Sequence, residues 1–299
     1  MKIKTRRYYI YYLMRTLFFV LGLFPLNISL FISDFLGKCA YKFLPAFRKT
    51  ALSNLNSHFS PDSVKNAAIA EKVFCNLIKN GAEWIKFSNC KPEQIAARVT
   101  EFHGKKYLDA VLSEGRGAIV MGFHFNNWEL MPLYLRIKGY HGAVVARRIY
   151  FHKYDKLLCR MRRRLDVGII YRDESPKKML MELRKGNILG IVPDQDVKSV
   201  DGVFVDFFGE SAYTPTAPVK LSMAAKTKIL PAFMIRKKDN THKLIIEEPI
   251  DTSEGARDEN TVKHYTQLWS NVLEKYVREY PEQWVWVHPR WKTKQPVSL

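Results

Sequence analysis

Paired cysteines are missing from this sequence. Cys39, Cys75, Cys90 and Cys159 lie scattered along 299 residues. No CxxC spacing occurs, which excludes the usual zinc sites and a disulfide framework. Reduced, buried thiols facing a cytosol are the expected state. HExxH, Walker, GxGxxG and GxSxG stretches are also absent, so metalloprotease, nucleotide and serine-nucleophile chemistry lack their common motifs. Acidic residues are scarce, with 29 Asp and Glu against 48 Lys and Arg, a formal net charge of +19. That excess points to an anionic partner: nucleic acid, a membrane surface or a phosphorylated substrate. Apolar residues are not scarce. At 47% they suffice for a sizeable core and exclude global disorder, in one large domain or two smaller ones.

A long apolar run is missing too. The N-terminus reads "MKIKTRRYYIYYLMRTLFFVLGLFPLNISLFISDFLGKCAYKFLPAF", with Lys2, Lys4, Arg6 and Arg7 ahead of a tyrosine cluster. It differs from a signal peptide because no small-residue cleavage site follows. A full span needs about 20 apolar residues, and Arg15 and Pro25 bracket a shorter stretch. The expectation is an N-terminal membrane anchor over residues 1–47, as a short tilted span or a helical hairpin lying in the interface. Arg15 would snorkel to the headgroups, and Tyr8, Tyr9, Tyr11 and Tyr12 would sit at the lipid interface. The alternative is a core helix pair of a soluble protein.

Residues 48–299 read as one further domain. "RKTALSNLNSHF" and "AAIAEKVFCNLIKNGAEWIKF" have helical periodicity, broken at Ser60-Pro61-Asp62 with Ser60 as the expected cap. Beyond residue 100, short apolar runs alternate with amphipathic helices. "GAIVMGF", "HGAVVAR", "VGIIY", "ILGIVP", "KILPAFMIR" and "HKLIIEEPI" read as strands; "PKKMLMELRKG", "TPTAPVKLSMAAKT" and "ENTVKHYTQLWSNVLEKYVREYP" read as helices. The alternation predicts an α/β sheet with crossover connections. "EQWVWVHPRWKTK" alternates Trp284 and Trp286 with valines and reads as a terminal strand with one aromatic face. His288 on that face reads as structural.

Within "GAIVMGFHFNNWELMPLYL", His124 and Glu129 stand five residues apart. On one helix they would point to different faces. They converge only if His124 ends a strand and Glu129 opens a helix, with Asn126 or Asn127 as N-cap. That places the pair at the carboxyl end of a strand, where open α/β sheets bind ligands. A carboxylate on one imidazole nitrogen fixes the tautomer and frees the other to accept a hydroxyl proton. The bland alternative is a strand-end histidine and a helix-start carboxylate with no joint function.

"HFNNWE" resembles the HX4D/E motif of the lipid A biosynthesis acyltransferases, the late lauroyl/myristoyl transferases of the lysophospholipid acyltransferase group. Four other blocks resemble the family in the same order: "RKTALSNLNSHF" (48–59), "RRRLDVGIIYR" (162–172), "ILGIVPDQDVKSVDGVFVDFFGESAYTPTAP" (188–218) and "PEQWVWVHPRWKT" (281–293). The resemblance implies a mixed, mostly parallel sheet flanked by helices, as in glycerolphosphate acyltransferases. It implies His124 as the base that deprotonates an acceptor hydroxyl and Glu129 as its orienting partner. Arg162 matches an arginine that steadies substrate or oxyanion, and Asp194 another functionally important position. Asn126 stands where the family most often has glycine, and Asn tolerates turn geometry.

Arg160 to Arg164, Arg162 and Arg164 among them, form with Arg147 and Arg148 a candidate phosphate site, or else a solvated helix face. Asp194 and Asp196 read as turn caps rather than metal ligands. "FVDFFGESAYTP" packs in the core or lines an acyl-chain groove. The resemblance implies transfer of a fatty acyl chain from acyl carrier protein or CoA to a hydroxyl of a lipid A precursor. Attack is direct, with no metal or bound cofactor, and another glycolipid or lysophospholipid is the alternative acceptor. The partners implied are the acyl donor, an anionic lipid and the cytoplasmic face of a bacterial inner membrane, with the basic N-terminus inside. A non-enzymatic nucleic-acid or membrane-binding protein is the competing class, but no nucleic-acid-binding motif is present.

Overall fold

Apolar strands that pack on both faces read as unbroken hydrophobic runs, and "GAIVMGF" and "ILGIVP", with "KILPAFMIR" beside them, build the centre of this molecule. The computed structural model describes residues 5–149, 152–253, 255–256 and 258–295. Five helices lead the chain: α1 (Thr5–Leu23), α2 (Leu26–Phe43), α3 (Pro45–His58), α4 (Ser63–Phe87) and α5 (Pro92–Ala96). There follow β1 (Val99–His103), α6 (Lys105–Ser113), β2 (Ala118–Met121), α7 (Leu130–Ile137), β3 (Gly142–Ala146), α8 (His152–Arg164), β4 (Gly168–Tyr171), α9 (Pro176–Arg184) and β5 (Ile188–Ile191). The last third holds β6 (Gly202–Phe207), β7 (Glu210–Pro215), α10 (Ala217–Ala225), β8 (Lys228–Arg236), β9 (His242–Ile246), β10 (Ile250–Asp251) and α11 (Glu259–Glu279).

The main sheet has eight strands in the order β1-β9-β8-β2-β5-β3-β4, with β10 pairing β8. Most pairs are parallel; β8 runs antiparallel to β9 and to β10. The α/β fold is thus a mixed, mostly parallel sheet flanked by helices. Strand residues alternate between two cores. Ile119, Met121, Leu189, Ile191, Phe233 and Ile235 face the cluster that includes Trp269 and Leu273 of α11. Ala118, Val120, Ile188, Leu230, Ala232 and Met234 face the other, with Leu108, Leu130 and Leu133. This is the period of two that strand geometry imposes.

Several local expectations are corrected. Asp62, not Ser60, caps α4: its carboxylate accepts from Val64 N and Lys65 N at 3.0 Å each, while Ser60 Oγ accepts from Asp62 N. A carboxylate directly before the first turn also meets the helix dipole. The tryptophan segment is not a strand. Pro281–Gln283 form a 3₁₀ turn, and beyond it only Trp284 bridges to Phe125. Trp284 and Trp286 are both buried, edge to face at 4.7 Å. "FVDFFGESAYTP" is the β6–β7 hairpin, and its Phe207 is sealed between Trp284 and Trp291. Core packing, not groove lining, is the role of that phenylalanine.

The N-terminal residues form a helical hairpin, α1 and α2. Among the described residues no helix is long and apolar enough to cross a membrane. Instead α2 packs along α4: Gly37 approaches Cys75 so closely that an added Cβ would lie 2.4 Å from the Cys75 Cα. The sequence-drawn division at residue 47 falls inside α3. Lys153 Nζ of α8 donates to Tyr12 O–H at 2.6 Å and lies 4.7–5.5 Å from the rings of Tyr8, Tyr11 and Tyr12, of which Tyr11 is buried and Tyr12 exposed. Tyr9 stays exposed. Lys2 and Lys4 lie outside the described residues.

Candidate active site

Strand β2 ends at Met121, and the chain turns through Gly122 and Phe123 to His124 at the carboxyl end of the parallel strands. The turn then needs a left-handed residue, supplied by Asn126 at φ 43°. Asparagine adopts this conformation more readily than most side-chain-bearing residues. Helix α7 starts later than the sequence suggested. Asn127 Oδ1 accepts from Leu130 N at 3.3 Å, and Glu129 sits just ahead of the first helical residue.

His124 does not pair with Glu129. Its Nδ1 lies 2.6 Å from Asp194 Oδ1, and its backbone N–H donates to Asp194 Oδ2 at 3.0 Å. Asp194 follows β5, the strand beside β2, so parallel pairing brings the two together across 70 residues of sequence. The Trp284 indole donates to the same Oδ2 at 2.9 Å. Burial by itself raises the Asp194 carboxyl, but the adjacent His124 charge, the His124 hydrogen bonds and the indole outweigh it and hold it below its ordinary value. An ionised Asp194 accepts a hydrogen bond from Nδ1–H, and in the neutral form of that tautomer the lone pair lies on Nε2. The orienting partner of His124 is therefore Asp194.

Glu129 has a different partner. Arg162 of α8 grips it as a fork, Nε to Oε2 at 3.1 Å and Nη2 to Oε1 at 2.6 Å. Bidentate Arg–carboxylate pairs fix geometry as well as charge. Both groups line one cavity with His124. That cavity has a volume of about 360 Å³, within the range of small-ligand sites. Its walls are mostly apolar: Val120, Met131, Leu135, Val144, Ile188 and Ile191. It runs beside β3 and β5 from their carboxyl ends near His124 to Gly142 and Ile188 at their amino ends. At about 3.3 Å per residue, the five residues of β3 span about 16 Å.

The arginines separate. Arg147 and Arg162 line the cavity, joined by Arg172, which the sequence reading did not single out. Arg148 is exposed, stacks over Tyr171 at 3.9 Å and faces Asp173 and Glu174. Arg164 is corrected to a structural role: its guanidinium donates to Phe87 O, Ser88 O and Cys90 O at the end of α4. Arg160 and Arg163 are exposed. Asp196 has partners other than those of Asp194. It is buried and accepts from Thr293 N and Oγ1 at 2.7 and 2.8 Å. Among the described residues no cluster of three His, Cys, Asp or Glu is placed to hold a metal.

The profile of the bacterial lipid A biosynthesis acyltransferase family matches residues 1–293. The chain is 30% identical over 269 residues to the lipid A biosynthesis lauroyltransferase of Escherichia coli (strain K12), covering 87% of this chain and 83% of that one. It is 24% identical to the lipid A biosynthesis myristoyltransferase of the same organism, over 88% and 81%. A phosphatidylinositol mannoside acyltransferase of Mycobacterium tuberculosis (strain ATCC 25618 / H37Rv) is 22% identical over 76% and 73%. The chain therefore belongs to the bacterial lipid A biosynthesis acyltransferase family and is an O-acyltransferase.

Proposed function

We propose that the protein transfers a fatty acyl group from a thioester, on acyl carrier protein or CoA, to a hydroxyl of a lipid A precursor. One observation carries the reading: a histidine with Nδ1 committed to a buried aspartate opens onto a long apolar cavity. The acyl chain occupies the cavity with its thioester at the His124 end. Nε2 of His124 takes the proton as the acceptor oxygen attacks the carbonyl carbon, and Asp194 stabilises the imidazolium. The tetrahedral intermediate collapses with loss of the C–S bond. The leaving sulfur takes the proton from Nε2, so the products are an ester and a free thiol. No acyl-enzyme forms, and neither metal nor bound cofactor enters this route. Arg162, held by Glu129, and Arg147 at the mouth offer positive charge to the oxyanion or to the acceptor's phosphates.

The exposed side chains of the N-terminal hairpin support a membrane setting for this reaction. Phe31 and Phe35 of α2 are 76% and 65% exposed one turn apart, and Phe43 and Phe47 extend the exposed surface. Lys38 and Lys42 follow on the same helix. An apolar stripe with cations suits an anionic leaflet, here the cytoplasmic face of the inner membrane. The test is acyl transfer by the purified protein from acyl carrier protein or CoA thioesters, beside its His124→Ala variant. Mass spectrometry of lipid A from a deletion strain then fixes the acceptor, with loss of one secondary acyl chain expected. If lipid A is unchanged, the acceptor assignment falls.

A further inference from the structure

Two side chains of the loop that carries His124 and Glu129 point the other way, into the core. Asn126 and Asn127 are buried above Glu83 of α4, Arg236 at the end of β8 and His242 at the start of β9, all three buried as well. Both Glu83 oxygens are saturated. Oε1 accepts from Arg236 Nη1 at 2.9 Å and from His242 Nε2 at 3.0 Å. Oε2 accepts from Arg236 Nη2 at 2.8 Å and from Asn127 Nδ2 at 2.7 Å. Asn126 closes the ring, its Oδ1 accepting from Arg236 Nε and its Nδ2 donating to His242 Nδ1, each at 3.2 Å.

That last bond sets the tautomer: His242 keeps its proton on Nε2 and is neutral. Burial also pushes its imidazole below the ordinary value. Glu83 and Arg236 then cancel, and the cluster carries no net charge. Asn80 of α4 adds two ties, accepting from Arg236 Nη2 at 2.9 Å and donating to the Asn126 carbonyl at 2.6 Å. Gln283 bonds both the N–H and the carbonyl of Arg236, while its own carbonyl accepts from Asn126 N at 2.6 Å. Loop and C-terminal segment are thus registered on one arginine.

Stability alone does not call for such a cluster, because apolar groups of similar volume commonly serve a core as well. What the cluster adds is direction. We infer that Glu83, Arg236 and His242 are positioning residues, which hold Asn126 and Asn127 down so that His124 and the Glu129–Arg162 pair face the cavity together. The inference rests on the acyl-transfer reading of that cavity.

The test compares His242→Gln, which retains a donor for Glu83 and an acceptor for Asn126, with His242→Phe, which has neither. Asn80→Ala is the milder variant should His242→Phe not fold; it leaves the ion pair intact. Two readouts are taken on folded protein: acyl-transfer kinetics, and hydrogen exchange of the peptide spanning residues 122–130. His242→Phe or Asn80→Ala should lower kcat by about 10- to 100-fold, the scale of a 1 Å misplacement, with KM for the donor little changed. Exchange should rise in that peptide, and His242→Gln should recover both. Unchanged exchange, or faster exchange with kcat intact, overturns the inference. Faster exchange in a protein whose wild type transfers no acyl group upholds the positioning and overturns the acyl-transfer reading.

Discussion

Replacing Asp194 by Asn decides which carboxylate serves His124. The aspartate accepts three hydrogen bonds, from His124 N, His124 Nδ1 and Trp284 Nε1. An amide has one oxygen. The orientation that keeps this oxygen on His124 N and the indole satisfies two of the three donors. Its NH₂ group then faces Nδ1 and donates to it. His124 is forced to carry its proton on Nε2, the tautomer that cannot accept a proton from the acceptor hydroxyl. The variant loses the base and the charge that stabilises the imidazolium, while its shape is retained. General-base catalysis is worth about 10²- to 10⁴-fold, so the barrier should rise by about 3–5 kcal/mol. The assay is single-turnover acyl transfer between pH 6 and 9, with the product read by mass spectrometry. Glu129→Gln is the control: it loosens the Arg162 fork but leaves the His124 tautomer alone, so its pH profile should keep the wild-type form. Near wild-type turnover by Asp194→Asn refutes the reasoning. So does a pH limb that vanishes in Glu129→Gln and persists in Asp194→Asn.

Acid should unfold the protein through its buried carboxylates. Asp194 and Glu83 are both depressed in the fold: burial opposes ionisation, and it is outweighed by His124 in the first case and by Arg236 and His242 in the second. Their stabilisation is complete above the ordinary carboxylate range of about 4 and is lost as pH falls through the folded values. Melting temperature should therefore drop more steeply below that range in wild type than in Asp194→Asn, and equal slopes would contradict this. Removing one partner of the buried pair, as in Glu83→Gln, should cost about 3–5 kcal/mol in urea unfolding. Phe207→Ala should cost a similar ~3–5 kcal/mol while leaving acyl-chain preference untouched, since Phe207 does not line the cavity. Leu135→Ala lengthens the cavity near the amino ends of the strands and should shift preference toward donors about two methylenes longer, each worth ~0.8 kcal/mol. An unchanged chain-length profile removes Leu135 from the acyl site.

Much of the sheet was legible because its strands read as apolar runs, with β2, β5 and β8 almost wholly buried at the centre. Strands β2, β3, β4 and β5 are short apolar runs with clear boundaries, and β8 is a longer one. Strand β1 was not, since "VTEFH" lies at an edge, is half polar and pairs only with β9. The β6–β7 hairpin was hidden by its turn. Phe208 and Gly209 both have positive φ between the paired Phe207 and Glu210, a geometry usually signalled by Asn-Gly or Asp-Gly. Glu274 accepts the Phe208 N–H at 2.7 Å and Arg278 covers its ring, so tertiary contacts hold a residue that local preference disfavours. At the site, His124 was placed correctly at a strand end. Its partner was not, because spacing along the chain says which residues are near, not which of two carboxylates wins. Asp194 wins through the adjacency of β2 and β5, and Glu129 is drawn off by Arg162. The cluster under Asn126 had no local signal at all: its members come from a helix and two strands far apart in sequence.

The C-terminal segment carries a consequence for synthesis. Trp284 reaches Asp194, Trp286 O and His288 O receive the Asn54 amide 232 and 234 residues away, and Thr293 holds Asp196. Contacts of such sequence separation are slow to form, and these cannot exist until residues 284–293 have been translated. A chain still emerging from the ribosome can build its early helices and first strands, because folding proceeds from the N-terminus. It cannot yet aim its histidine. The setting of His124 is completed only once residues 284–293 have emerged, after the N-terminal helices have already formed.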